Sequence, residues 1–144
     1  MRVIFLDFNG VLDTYEDFDV IDKSNLYILV DAINLTDSKV VITSSNKKYF
    51  YRTGKHNLIM KNLIDVLHEY NIEVLGYTKS LDSREEEIID YLYNHPEIEH
   101  YCIIDDEYFF ESMSAHMIKL TSQNDGGNGL KESSVHEIVR KLNV

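Results

Sequence analysis

The chain has 144 residues, with 14 Lys and Arg against 25 Asp and Glu for a net charge of −11, a length that predicts one domain spanning residues 1–144 and excludes two ordinary ones. The negative balance disfavours nonspecific adhesion to nucleic acid through the surface as a whole, so an anionic substrate must be attracted locally, by a metal or a basic patch. No apolar run approaches the roughly 20 residues that span a bilayer, and the N-terminus reads as a strand without a charged, hydrophobic leader, which predicts a cytoplasmic protein with no membrane contact.

The stretch Arg2 to Asp13, RVIFLDFNGVLD, carries the strongest signal. Val3, Ile4, Phe5 and Leu6 do not alternate and are rich in β-branched and aromatic residues, which predicts a strand buried on both faces. Asp7 then falls at its carboxyl end, the edge where open α/β sheets bind ligands. Gly10 lets the chain turn sharply just beyond. Residues 8–21 predict a loop or small hairpin, and Asp22 caps a helix to about Leu35 with Leu26, Leu29, Val30 and Ile33 on one face. Lys39–Thr43 predicts a second buried strand, followed by a polar loop over 44–56 and a helix from about Asn57 to Tyr70. Ile72–Tyr77 reads as a third strand. Ser83 and Glu86 have the spacing of a capping box opening a helix to about Tyr93, with Pro96 past its end. Tyr101–Ile104 is a fourth strand, and its Cys102, the single cysteine, reads as a small core residue. His116–Leu120 is a candidate fifth. Ser134 and Glu137 form a second capping box, with Val135, Ile138, Val139 and Leu142 as the inner stripe of the last helix. Strands alternating with helices predict a three-layer, Rossmann-like α/β fold, a parallel sheet of about five strands covered on both faces.

The carboxyl ends of the predicted strands collect Asp7, the hydroxyls of Thr43, Ser44 and Ser45, and the doublet Asp105 and Asp106. Carboxylates crowded on one rim repel each other unless a cation sits between them, and hard oxygen ligands suit Mg²⁺. Residues 47–56, KKYFYRTGKH, form the one concentrated basic segment: Lys47, Lys48, Arg52 and Lys55 interleave with Tyr49, Phe50 and Tyr51. Such a loop can guide a phosphorylated substrate or stack a base, so a nucleotide or nucleic-acid end is a candidate partner. A solvated loop with its aromatics folded inward is the competing reading.

The stretch DFNGVL resembles motif I of the haloacid dehalogenase (HAD) superfamily, a hydrophobic strand followed by Asp, any residue, Asp, Gly and two hydrophobics. Asn9 departs from it, standing where the family's phosphatases usually carry the second aspartate. VVITSS is similar to motif II, with Thr43 the best fit for the phosphate-binding hydroxyl and Ser44 next, and IIDDE is similar to motif IV, where Asp105, Asp106 or both complete the Mg²⁺ site. For the basic residue of motif III, Arg84 fits better than Lys79, against a reading of Arg84 as a solvated residue pairing with Glu85 or Glu87. The arginine, the short length and the later Gly129–Leu130 resemble the HAD domain of the Swiss Army Knife RNA repair proteins. The positions where HAD proteins insert cap domains are short here, which implies a capless fold.

The resemblance implies a Mg²⁺-dependent phosphohydrolase or phosphotransferase acting through an aspartyl-phosphate on Asp7. Thr43 and the Ser44 N–H would bind nonbridging oxygens, and Arg84 would add fixed positive charge. The metal set would be Asp7, the Asn9 carbonyl, Asp105 and Asp106, with Gly10, Ser44, Lys47, Lys48 and Arg52 toward the substrate. Asn9 keeps the carbonyl's task and cannot perform the acid–base task of the usual aspartate. That implies slow turnover or substrates with good leaving groups, another acid with Asp13 nearest and His56 more distant, or a catalytically weak phosphate- or nucleotide-binding regulatory module. An uncapped rim suits a bulky phosphorylated macromolecule, and the turn-rich stretch Thr121–Leu130 can border it or serve as a connection. Substrate identity and oligomeric state stay open at this level.

Overall fold

The structure, a computed structural model, describes residues 1–14, 16, 20–43 and 55–143, with residues 55–60 described by backbone alone. Strands β1 (Arg2–Leu6), β2 (Lys39–Ile42), β3 (Val74–Tyr77), β4 (His100–Asp105) and β5 (Met117–Lys119) form one sheet in the order β3-β2-β1-β4-β5. Every neighbouring pair is parallel. Helices α1 (Lys23–Thr36), α2 (Lys55–Glu69), α3 (Arg84–Asn94) and α4 (Glu132–Lys141) cover it.

Right-handed crossovers put connections that run one way along a sheet on one face and those that run back on the other. The two cores follow that rule. Ile4 and Leu6 of β1 pack with Leu26 and Leu29 of α1, Leu63 and Leu67 of α2, and Ile138 of α4. Val3 and Phe5 point the opposite way, as successive strand residues must, and pack with Ile88 of α3 and with Met113 and Met117 after the return crossover. The central position of β1, hydrogen-bonded to β2 and β4, is why its apolar run does not alternate with polar residues.

Two boundaries differ from the sequence reading for local reasons. The third strand begins at Val74, because Ile72 N donates to Leu67 O (3.0 Å) and Asn71 N to His68 O (3.0 Å), with Asn71 at φ 59°. That pairing is a Schellman stop, and Ile72 serves as its hydrophobic closure. The last helix begins at Glu132, two residues before Ser134. Ser134 Oγ accepts from Lys131 N (3.0 Å), so Ser134 reaches back from inside the first turn. Asp22 and Ser83 do cap their helices, accepting from Asn25 N and Glu86 N at 3.1 Å.

Arg2 ties the two outer helices to the first strand. Its Nε donates to Leu142 O (3.0 Å) and its Nη1 to Thr36 O (3.5 Å), two carbonyls at helix ends where a cation also complements the macrodipole. Hydrogen bonds to charged groups contribute about 1.5–3 kcal/mol, and the longer one contributes less. Both bonds are only part-buried, so solvent competes for them, and Arg2→Ala is expected to lower unfolding free energy by about 1–2 kcal/mol. Urea denaturation will register this as a lower midpoint at an unchanged slope.

Among the described residues there is no cap domain, and the connection from β3 to α3 is residues 78–83. No described helix is long and apolar enough to cross a membrane.

Candidate active site

Strand register builds the site. Leu6 pairs with Ile42 on one side and Ile104 on the other. The next residue of each strand extends the row, with Thr43 N donating to Leu6 O (3.0 Å) and Asp7 N to Ile104 O (3.2 Å). Thr43, Asp7 and Asp105 therefore stand side by side at the carboxyl rim of β2, β1 and β4. Asp106 joins them: one carboxylate oxygen from each of Asp7, Asp105 and Asp106 lies within 4.8 Å of the others.

Gly10 is what lets Asp106 approach. It sits at φ +82°, and a Cβ there would fall 2.0 Å from Asp106 Oδ2, so the position excludes side chains by conformation and by space.

Arg84 enters the same row from the opposite layer. Ser83 caps α3, so Arg84 is the helix's first residue and its side chain is buried. Its Nη1 lies 2.9 Å from Asp105 Oδ2 and 3.8 Å from Asp7 Oδ1, and its Nε lies 3.7 Å from Glu87 Oε1. Asp105 Oδ1 accepts from Glu107 N (2.8 Å) and Tyr108 N (3.1 Å). Asp7 Oδ1 accepts from Phe8 N (2.9 Å). Both of these Asp7 contacts fall on Oδ1 and not on Oδ2.

Among the described residues the cluster's charge is not balanced. Burial, above all, pushes the Asp7 carboxyl well above the usual carboxylate range; Asp105 and Asp106 add to the rise, while Arg84 and the Phe8 N–H oppose it. Asp105 is raised too, chiefly by burial, against the pull of Arg84 and two backbone N–H groups. One guanidinium serves Asp7, Asp105 and Glu87 while Asp106 adds a further carboxylate. Lys119 Nζ, at the end of β5, donates to the main-chain carbonyls of Asp106 and Leu120. A hard divalent cation fits this all-oxygen, anionic pocket. Thr43 adds a polar group of its own: it is fully buried, and its Oγ1 has no hydrogen-bond partner among the described residues. A buried hydroxyl left unpaired costs free energy unless a ligand completes it.

A second network lies behind the first. Asp13 is fully buried and accepts from Asn9 Nδ2 (2.7 Å), Gly10 N (2.7 Å) and Gln123 Nε2 (2.8 Å). Gln123 also donates its backbone N–H to Asp106 Oδ2 (3.0 Å), so one residue braces both acidic groups. The segment after it is clamped to the β1–α1 loop. Leu130 N donates to Val11 O (3.2 Å), Asn25 Nδ2 donates to Asn128 O (2.9 Å), and a Cβ on Gly129 would meet Val11 O at 2.4 Å.

A model of the family described as "HAD domain in Swiss Army Knife RNA repair proteins" matches residues 3–135. The chain belongs to that family. No curated protein and no solved structure matches it. In this HAD domain the acidic cluster and Thr43 occupy the rim expected from the strand ends. Arg84 is at the cluster, whereas Lys79 lines a separate cavity with Tyr77, Tyr91 and His95. The solvated reading of Arg84 is thereby set aside, although its pairing with Glu87 is present. Asn9 turns its amide to Asp13. Ser44, Ser45, Lys47, Lys48 and Arg52 lie outside the described residues, and Lys55 and His56 fall in the part of α2 described by backbone alone. Gln123, Asn25 and Lys119 were not singled out from the sequence. Gln123 meets Asp13 across 110 positions, and no local pattern marks it.

Proposed function

We propose that this HAD domain is a Mg²⁺-dependent phosphohydrolase or phosphotransferase, and that its substrate is a phosphate ester at the end of an RNA strand. The observation that carries the reaction is the register-built row of Thr43, Asp7 and Asp105 beside buried Arg84 and the Asp105/Asp106 doublet. The substrate class draws support from the family's RNA-repair description and from a rim with no cap among the described residues.

Asp7 Oδ2 attacks phosphorus, the bond from phosphorus to the leaving oxygen breaks, and that oxygen takes up a proton. Water then attacks phosphorus, the bond to Asp7 breaks, and phosphate departs as the carboxylate is restored. In phosphotransfer, an acceptor hydroxyl takes the place of water. Arg84, anchored by Asp105, supplies fixed positive charge beside the oxygens on which negative charge accumulates, and the Thr43 hydroxyl donates to one of them. Asp7, Asp105 and Asp106, with the Asn9 carbonyl, would hold Mg²⁺, which neutralises the repulsion between substrate and carboxylates. Ser44, Lys47, Lys48 and Arg52 follow Thr43 in the chain and are assigned to the substrate side.

Asn9 favours a second reading, a phosphate-binding module with little or no turnover, because its amide is committed to Asp13 and carries no transferable proton. Aryl phosphate and 5′- or 3′-phosphorylated oligoribonucleotides, assayed with Mg²⁺, separate the two. Product and an acid-stable phosphoenzyme in wild type, both gone in Asp7→Asn, support the enzyme. Phosphate that binds with Mg²⁺ and is never released from an ester supports the module.

A further inference from the structure

Next to the acidic rim is a cavity of about 370 Å³, within the range of small-molecule sites; its walls include Leu81, Asp82, Glu85, Glu87, Tyr108 and Phe110. Arg84 is the partition between the two. Its Nη1 holds Asp105 and Asp7 on one side, and its guanidinium carbon lies 5.2 Å from the Tyr108 ring centroid on the other. Tyr108 and Leu81 of these walls are 43% and 45% exposed, an apolar and aromatic surface on the cavity. Tyr108 does not hang loose: its N–H donates to Asp105 Oδ1 (3.1 Å), and its ring runs nearly parallel to that of Phe110, 17° between planes.

The walls limit what this cavity can accept. Among the described residues of the walls, Asp82, Glu85 and Glu87 bring carboxylates, with Glu85 Oε1 accepting from Ser112 Oγ and Glu87 pairing with Arg84. The one guanidinium is already engaged by Asp7, Asp105 and Glu87, so a phosphate is disfavoured on this side. A flat ring that stacks on tyrosine and presents N–H donors to carboxylates is complementary to both properties. Nucleobases have that chemistry, and their recognition in single strands rests on aromatic stacking together with hydrogen bonds along the base edge.

We infer that this cavity receives a nucleobase of the substrate, stacked against Tyr108 with its amino group toward the carboxylates of Asp82 and Glu85, while the phosphate it carries lies across Arg84 at Asp7 and Thr43. The inference rests on the phosphate-ester reading of the neighbouring site and assigns the part of the substrate that does not react. Stacking of one base on an aromatic side chain contributes roughly 5- to 150-fold in affinity. Adenine and cytosine bear amino donors that uracil lacks, so the cavity ranks adenosine and cytidine above uridine.

Free nucleosides test this without any need for turnover. Titration of adenosine, cytidine and uridine into the full chain with Mg²⁺, followed by saturation-transfer NMR with ribose as the control, should give saturable binding in the order stated and none for ribose. Tyr108→Phe retains the binding, Tyr108→Leu weakens it about 5-fold or more, and Asp7→Asn leaves it intact because a nucleoside brings no phosphate. Melting curves establish that each variant is folded. No saturable nucleoside binding at millimolar concentration, or equal binding in a folded Tyr108→Leu, overturns the inference. An active phosphatase indifferent to the base would sink the subsite and leave the chemistry standing. Nucleoside binding without hydrolysis of any ester would do the reverse.

Discussion

Asn9→Asp is expected to raise Mg²⁺-supported turnover by about 10²- to 10⁴-fold, the usual range for a positioned acid–base group. The gain should be largest on alkyl phosphates, whose leaving oxygen needs a proton, and smallest on aryl phosphates with good leaving groups. The surroundings of Asn9 shape the result further. Its Nδ2 donates to Asp13 Oδ2 at 2.7 Å, so a carboxylate at position 9 would face another at hydrogen-bonding distance. Two such groups share one proton, which raises the affinity of the pair for it and provides an acid nearer neutral pH. The exchange Asn9→Asp with Asp13→Asn restores a carboxylate–amide pair with the donor on the other side. It should keep much of the gain while the alkaline limb of the rate profile moves to lower pH. Steady-state rates on both ester classes from pH 5 to 9 decide the matter. If Asn9→Asp gives no increase on alkyl phosphates while Mg²⁺ still binds, position 9 does not limit the reaction.

The second large effect is on stability. Folding raises the Asp7 carboxyl above its ordinary 3.8, mainly through burial, and raises Asp105 in the same direction. The folded state thus holds these protons more tightly than the unfolded chain does. Their stabilising contribution is complete below the unfolded value and is lost as pH climbs through the folded one, because the slope of stability against pH is negative wherever the native state binds more protons. Metal-free protein should accordingly melt at a lower temperature at pH 8 than at pH 5 to 6. On the proposed assignment Mg²⁺ is held by the ionised carboxylates, so it should reverse the loss at neutral pH and do little at pH 5. At 100 times its dissociation constant it adds about 2.7 kcal/mol, or roughly 5–10 °C for a chain of this size. Asp7→Asn removes the buried charge, so it should melt above wild type in chelator at pH 8 and lose most of the Mg²⁺ response. Melting temperatures across this pH range, in chelator and in Mg²⁺, provide the check. A Mg²⁺ shift of equal size at every pH, or an Asp7→Asn variant that still shows the full shift, would contradict the assignment of Asp7 to the cation.

The rim was legible because each of its members ends an apolar run. Asp7, Thr43 and Asp105 directly follow strand residues that pair in register, so knowing the strands was enough to place the row. Parallel order was legible for the first four strands, since a predicted helix separates each consecutive pair, whereas only a short 3₁₀ segment, Glu111–His116, joins β4 to β5. Arg84 and Lys79 were harder to rank: both lie near the start of one helix, and only the cap on Ser83 decides which side chain turns inward. Asp13 looked like a nearby alternative acid, whereas the structure gives it the Asn9 amide, the Gly10 N–H and the Gln123 amide as partners. Gln123 itself was out of reach of any window, because it sits in a stretch of turn residues whose composition fits a plain connection equally well.

The hydrogen bonds from Gln123 to Asp13 and Asp106 impose an order on how the centre comes into being during translation. The strand bearing Asp7 leaves the ribosome more than a hundred positions ahead of Gln123, the residue that steadies its neighbours. A nascent chain halted within α3 therefore displays Asp7 without the doublet, the Lys119 ammonium or the Gln123 clasp. The acidic centre is whole only once the segment through Gln123 has been made.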